Sequence, residues 1–211
     1  RCRSIRAIHW FMEIAFETLI ASYLEDNIGI VTEFISDDLA QHLRQNLVKL
    51  EDQKLLLAAG TGNETKFVRN KKVRSDVIYW LDKSHNNVYE TAFLIHIEAF
   101  IQYLNESCYA GITSYEFHYS LYEKGSFYQK HVDQFQDNSS RAFSMICYLN
   151  ENWKVEDGGE LRIHQLNSNQ HISPTQGKTV FFKSDELEHE VLITNKRRTS
   201  VTGWLKREER F

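Results

Sequence analysis

From Ser114 the sequence settles into strict alternation. Glu116, His118, Ser120 and Tyr122 interleave with Phe117, Tyr119 and Leu121. Successive side chains of a strand point to opposite faces, so this stretch reads as a strand with one polar and one apolar face. Arg198 to Trp204 (RTSVTGW) repeats the pattern. There Arg198, Ser200, Thr202 and Trp204 share one face, and Thr199, Val201, Gly203 and Leu205 share the other. Arg141 to Leu149 groups Ser144, Ile146 and Tyr148 in the same way. In a barrel that binds a polar molecule, such a polar face can turn inward. Helical patterns come first in this chain and about eight short strands follow. That order predicts an α+β fold, with a β-barrel core and helices supporting one sheet.

The 211 residues are expected to form a single domain with a sizeable core. Residues 1–110 would supply helical support, the first strands and a mobile loop at 55–74, and residues 111–206 the barrel. A net charge of −4 argues against a general nucleic-acid binder. Cys2, Cys108 and Cys147 have no C-x-x-C spacing, which suits a reducing cytoplasm without a disulfide framework. No apolar run approaches the ~18 residues of a membrane span. The start, RCRSIRAIHWFMEIAF, is basic then apolar, but Glu13 and Glu17 interrupt it, so a helix is expected there.

The chemistry concentrates at His131-Val132-Asp133. On a strand, an H-x-D pair aims one imidazole and one carboxylate at a common point. By itself the pair also fits a solvated polar strand face. A second imidazole, from His189 in DELEHEV, would complete a 2-His-1-carboxylate set with open positions opposite, an arrangement suited to non-haem Fe(II). A closed structural zinc site would call for a fourth ligand, usually Cys. Arg198, alone on a buried strand, needs an anionic partner, and a guanidinium fork matches a carboxylate in bidentate fashion. A carboxylate held by Arg198 beside an open iron site points to 2-oxoglutarate.

These pieces, with RSDVIYW (74–80), YEKGSFYQKHVD (122–133), FSMICYLNENW (143–153), DGGELRI (157–163) and HEV (189–191), resemble the Fe(II)/2-oxoglutarate-dependent oxygenases, specifically the prolyl hydroxylase domain (SM-20-like) branch. The resemblance runs over roughly residues 55–205. It implies a double-stranded β-helix, a jelly-roll or cupin-like barrel. It implies iron on His131, Asp133 and His189, and Arg198 on the distal carboxylate of 2-oxoglutarate. Tyr148 matches the residue that assists that carboxylate, Tyr122 matches a tyrosine near the metal, and Thr202 is counted with them as a co-substrate contact. The implied cofactors are Fe(II), 2-oxoglutarate and O2, with ascorbate as an optional addition.

The implied reaction is hydroxylation of a prolyl residue in a protein, for example a translation factor such as elongation factor Tu. The alternatives are a small-molecule hydroxylase of the same superfamily and a non-catalytic metal-binding sensor module. Retention of Asp133 argues against halogenation. Trp204, standing where nucleic-acid demethylases carry a second arginine, argues against that branch.

Upstream, Phe11, Ile14, Ala15, Leu19 and Tyr23 predict a helix over Ile8–Leu24. Ser36 predicts an N-cap for a helix to about Asp52, with Leu39, Leu43, Leu47 and Leu50 inward. Val88 to Cys108 predicts a third helix, with His96 as a satisfied helix histidine. In the 55–74 loop, Lys66, Arg69, Lys71, Lys72 and Arg74 could meet an acidic substrate segment. Asp76 is paired speculatively with Arg141. His118 is either a pocket-lining residue or a structural histidine. Glu188 and Glu190 should face outward.

Overall fold

The computed structural model describes residues 2–60, 73–134, 139–165 and 168–208. The cluster Lys66, Arg69, Lys71 and Lys72 lies outside them, as does the side chain of Phe11. Three helices precede the main run of strands: α1 (Cys2–Asp26), α2 (Asp37–Asp52) and α3 (Val88–Cys108). The strands are β1 (Ile28–Val31), β2 (Leu57–Ala58), β3 (Val77–Trp80), β4 (Ser114–Tyr122), β5 (Tyr128–His131) and β6 (Arg141–Tyr148). They continue with β7 (Leu161–His164), β8 (Asn169–Ile172), β9 (Thr179–Lys183), β10 (His189–Val191) and β11 (Arg198–Lys206).

The helix ends follow local chemistry. Ser36 caps α2 by accepting from the Leu39 backbone N–H, and Asn87 caps α3 through Tyr89 and Glu90. Leu43, Leu47 and Leu50 are buried on α2, while Leu39 is half-buried. α1 turns a different face inward from the expected one: Phe16, Leu19 and Ile20 are buried and Ile14 is exposed. His96 on α3 packs between the rings of Phe16 and Phe34. Its Nε2 has no hydrogen-bond partner among the described residues, so it is less fully satisfied than expected.

Seven strands form one sheet in the order β1-β9-β6-β11-β4-β3-β2, and four form a second in the order β5-β10-β7-β8. Their pairings are antiparallel. The strand period divides the larger sheet into two faces. Phe117, Tyr119, Leu121, Phe143, Met145, Cys147, Phe181, Val201 and Leu205 pack with the helices. Tyr122, Ile146, Tyr148, Val180 and Phe182 turn the other way and meet Leu161, Ile163 and Val191 of the smaller sheet. Each such apolar side chain stabilises the fold by roughly 1.5–3 kcal/mol on burial. The polar faces of β4, β6 and β11 thus point between the two sheets of a double-stranded β-helix. Gly203 permits β4 and β11 to approach, since a Cβ there would lie 2.2 Å from the Glu116 carbonyl oxygen.

Candidate active site

His131 closes β5 and stands opposite His189, the first residue of β10. Asp133 lies beyond the end of β5, in a bend. The expectation that His131 and Asp133 share a strand face is therefore corrected: the chain turns after His131, and the bend brings the carboxylate back. Asp133 Oδ1 is 3.3 Å from His131 Nε2 and 3.7 Å from His189 Nε2. One ligand atom from each of the three residues lies within 4.8 Å of the others, and the set could hold a metal ion.

The surroundings orient all three donors. His131 Nδ1 is 2.7 Å from the Gln129 carbonyl oxygen, and His189 Nδ1 is 2.9 Å from that of Leu187. A carbonyl only accepts, so each Nδ1 carries the proton and each Nε2 keeps its lone pair for the cluster. The Ser144 hydroxyl donates to Asp133 Oδ2 at 2.6 Å and lies 2.9 Å from Ser184 Oγ. Tyr128 stacks on His131 with centroids 3.6 Å apart, and Phe182 flanks His189. Burial pushes His189 down to about 4, so its imidazole is neutral near pH 7. Burial alone would raise Asp133, but His189 and His131 outweigh it and hold the carboxyl well below its usual range. Two imidazole Nε2 atoms and one carboxylate form a donor set that fits a divalent cation.

Arg198, the first residue of β11, is 1% exposed. Its Nε donates to the Gly159 carbonyl oxygen at 2.8 Å. Its guanidinium lies 5.0 Å from the Tyr122 ring centre and 5.1 Å from that of Tyr148. Among the described residues no carboxylate pairs with it. The buried Tyr148 hydroxyl also lacks a hydrogen-bond partner there. A buried cation beside an unsatisfied hydroxyl fits a carboxylate ligand.

Gly159 must be glycine: its φ is +65°, and a Cβ would meet Thr194 at 2.9 Å and Arg198 Cδ at 3.1 Å. Asn150 pins the start of β11. Its Oδ1 accepts from the Thr199 N–H and hydroxyl, and its Nδ2 donates to the Thr199 and Pro174 carbonyls. Thr202 shares the inward face, and its hydroxyl pairs with Ser200 at 3.1 Å.

Arg74 and Asp76 form a bidentate pair at 2.8 and 2.6 Å, which corrects the pairing of Asp76 with Arg141. Arg141 instead meets Glu116. Two-residue spacing on the chain brings Arg74 and Asp76 together, whereas Arg141 pairs with Lys206 at the far end of β11 from the Val77–Leu121 register. Arg74 is also spread over the Tyr128 ring at 4.3 Å, so it braces the His131 side of the cleft and is not an open contact for an acidic segment. Glu188 pairs with Lys130, and Glu190 with Arg162 and His164, away from the cluster. His171 pairs with Glu160. Ser144, Ser184, Tyr128 and Asn150 were missed as site residues. Only Ser144 carried a signal, as a small polar residue on the face of Ile146 and Tyr148.

Residues 117–206 match the model of the 2OG-Fe(II) oxygenase superfamily. A prolyl-4-hydroxylase from Pseudomonas putida superposes with a TM-score of 0.82 at 28% identity, covering 92% of this chain and 100% of that one. A Trichoplax adhaerens prolyl hydroxylase, solved with a peptide fragment of hypoxia inducible factor, gives 0.83 at 22%, over 94% and 92%. The viral collagen prolyl hydroxylase of Paramecium Bursaria Chlorella virus-1 gives 0.61 at 16%, over 86% and 97%. The family's cofactors are Fe(II), 2-oxoglutarate and O2, and the donor set and the buried cation fit the first two. The match over residues 117–206 and these structural likenesses together support a 2OG-Fe(II) oxygenase, a 2-oxoglutarate-dependent dioxygenase, on a prolyl-hydroxylase-like fold.

Proposed function

We propose that this enzyme hydroxylates a prolyl residue of a protein. One observation carries the reading: beside a His131, Asp133 and His189 cluster that could hold a metal ion, the same barrel buries Arg198 with no carboxylate partner among the described residues. In this reading His131 Nε2, His189 Nε2 and Asp133 hold Fe(II). Arg198 and Tyr148 hold the far carboxylate of 2-oxoglutarate, Tyr122 supports the guanidinium, and Thr202 faces the chain between the two anchors. When bound, the iron supplies oxygen activation coupled to conversion of 2-oxoglutarate to succinate and CO2, with one oxygen atom passing to a substrate C–H bond.

The residues of the chain orient and shield this chemistry. The Gln129 and Leu187 carbonyls keep the imidazole protons on Nδ1, and Ser144 fixes the Asp133 carboxylate. Tyr128 and Phe182 pack against the two imidazoles and hold their ring planes. The prolyl substrate is supported by the likeness to the Pseudomonas putida prolyl-4-hydroxylase. The same fold holds a peptide fragment in the Trichoplax adhaerens protein. Elongation factor Tu is the first candidate, from the family branch that the motifs resemble.

The test is peptide mass spectrometry on lysate incubated with the protein, Fe(II) and 2-oxoglutarate, against His131→Ala. A proline that gains one oxygen atom only with the active protein is the expected result. Succinate formation without any modified protein would overturn the protein substrate in favour of a small molecule. Absence of metal-dependent succinate would favour a non-catalytic module.

A further inference from the structure

Beside the two proposed anchors of the far carboxylate, Tyr148 and Arg198, the backbone ladder runs out. The register of β11 on β6 starts at Ser200 opposite Tyr148, and neither Arg198 nor Thr199 has a ladder partner on β6. Arg198 pairs with Tyr122 of β4 on its other side. On the β6 side the side chain of Asn150 takes the ladder's place.

Asn150 is 5% exposed. Its Oδ1 accepts from the Thr199 N–H at 2.7 Å and from the Thr199 hydroxyl at 2.9 Å. Its Nδ2 donates to the Thr199 carbonyl at 3.0 Å and to the Pro174 carbonyl at 2.8 Å. A side-chain amide has two donor hydrogens and two acceptor lone pairs, so Asn150 is fully used. Toward the Thr199 backbone it presents one acceptor and one donor, as a neighbouring antiparallel strand would.

Asn150 lies two residues past Tyr148, and Thr199 one past Arg198. One buried amide therefore ties together the two chain segments on which both anchors stand. The other flank of Arg198 is held by Arg197, whose guanidinium bridges Glu51 of α2 and Glu123. Those groups are partly exposed, and exposed ion pairs hold a chain only weakly. The buried amide is the stronger restraint. Arg is long and rich in rotamers, so where its guanidinium sits depends on how firmly its base is fixed.

We infer that Asn150 is a positioning residue for 2-oxoglutarate: it fixes Arg198 relative to Tyr148, and thereby sets the length of 2-oxo dicarboxylate that spans from the metal cluster to the guanidinium. This rests on the reading that Arg198 holds the far carboxylate. A homologue with one more methylene is rejected because a pinned Arg198 does not recede to receive it.

The test is calorimetry on the whole protein loaded with Zn(II), titrated with 2-oxoglutarate and with 2-oxoadipate, which is longer by one methylene. The wild-type protein should prefer 2-oxoglutarate by about 10- to 200-fold. Asn150→Leu should weaken 2-oxoglutarate roughly tenfold and 2-oxoadipate much less, with Zn(II) affinity unchanged. Thr199→Val is the milder variant, removing the hydroxyl bond to Oδ1 with little change of shape. It should act in the same direction, at about threefold, while Thr199→Ser keeps the hydroxyl and should bind as wild type does. In an Arg198→Ala background, Asn150→Leu should cost no further 2-oxoglutarate affinity, since it acts through the missing guanidinium. Equal losses for the two acids overturn the inference. So does an additive double variant, or unchanged 2-oxoglutarate affinity in both Asn150→Leu and Thr199→Val. Wild-type 2-oxoglutarate affinity in Arg198→Ala alone would instead sink the reading of Arg198, and this inference with it.

Discussion

Ser144 on the seven-stranded sheet donates a 2.6 Å hydrogen bond to Asp133, which stands beside His131 of the four-stranded sheet. That bond ties a proposed metal ligand to the opposite wall of the barrel. Ser144→Ala removes a bond to a charged group, worth roughly 1.5–3 kcal/mol, and frees the carboxylate to rotate. Divalent-metal affinity should fall about 10- to 100-fold, measured by calorimetry with Zn(II). An unchanged affinity would mean that Asp133 is held by other contacts.

His131→Ala or Asp133→Ala should abolish metal-dependent succinate formation and leave the thermal transition of the metal-free protein largely in place. Turnover at the wild-type rate in either variant would remove these residues from the iron site.

Arg198→Ala should weaken 2-oxoglutarate by a factor of roughly 30 to several thousand, the equivalent of ~2–5 kcal/mol for a buried charged pair. Metal affinity should change little. Titration of 2-oxoglutarate into the Zn(II)-loaded variant reads this directly, and a wild-type affinity would place the carboxylate elsewhere.

Burial holds His96 and His189 near 4 and His118 near 3, all below the unfolded value of 6.5. Between these values and 6.5 the unfolded chain binds more protons than the folded one. The stability these histidines contribute is therefore complete above about pH 6.5 and declines as the pH falls toward 4. The urea midpoint of the metal-free protein should drop from pH 7 to pH 5, and His96→Leu should flatten that slope. A midpoint that rises on acidification would contradict the burial of these side chains.

Gly203→Ala would place a Cβ 2.2 Å from the Glu116 carbonyl oxygen and 2.4 Å from Phe117 Cδ1. β4 and β11 must then separate, at a cost of about 1–3 kcal/mol. A fall of several degrees in Tm is expected, and an unaltered Tm would show that the two strands tolerate a wider spacing.

The strands and two of the helix faces were legible because their periodicity is clean. β4 and β11 alternate without interruption, and α2 places its leucines on one stripe. The inward face of α1 was not, because Ile14, Ala15, Phe16, Leu19 and Ile20 are apolar around more than one face, and only the packed sheet selects among them. The H-x-D spacing identified the right pair for the wrong local reason, since a bend rather than strand alternation returns Asp133 to the cluster. Asn150 ties together residues 174 and 199 through side-chain bonds to backbone. Contacts of that kind leave no period for a sequence pattern to reveal.

The division of the cleft between two sheets has a mechanical consequence. The imidazoles of His131 and His189 belong to the smaller sheet, while Arg198 and Tyr148 belong to the larger one. A metal and dicarboxylate seated between them would act as a rivet, loading both walls at once. Resistance to unfolding would then follow the supply of iron and 2-oxoglutarate by mass action. In a cell short of either, such a protein would lose persistence as well as turnover, so its abundance would itself record the supply of both.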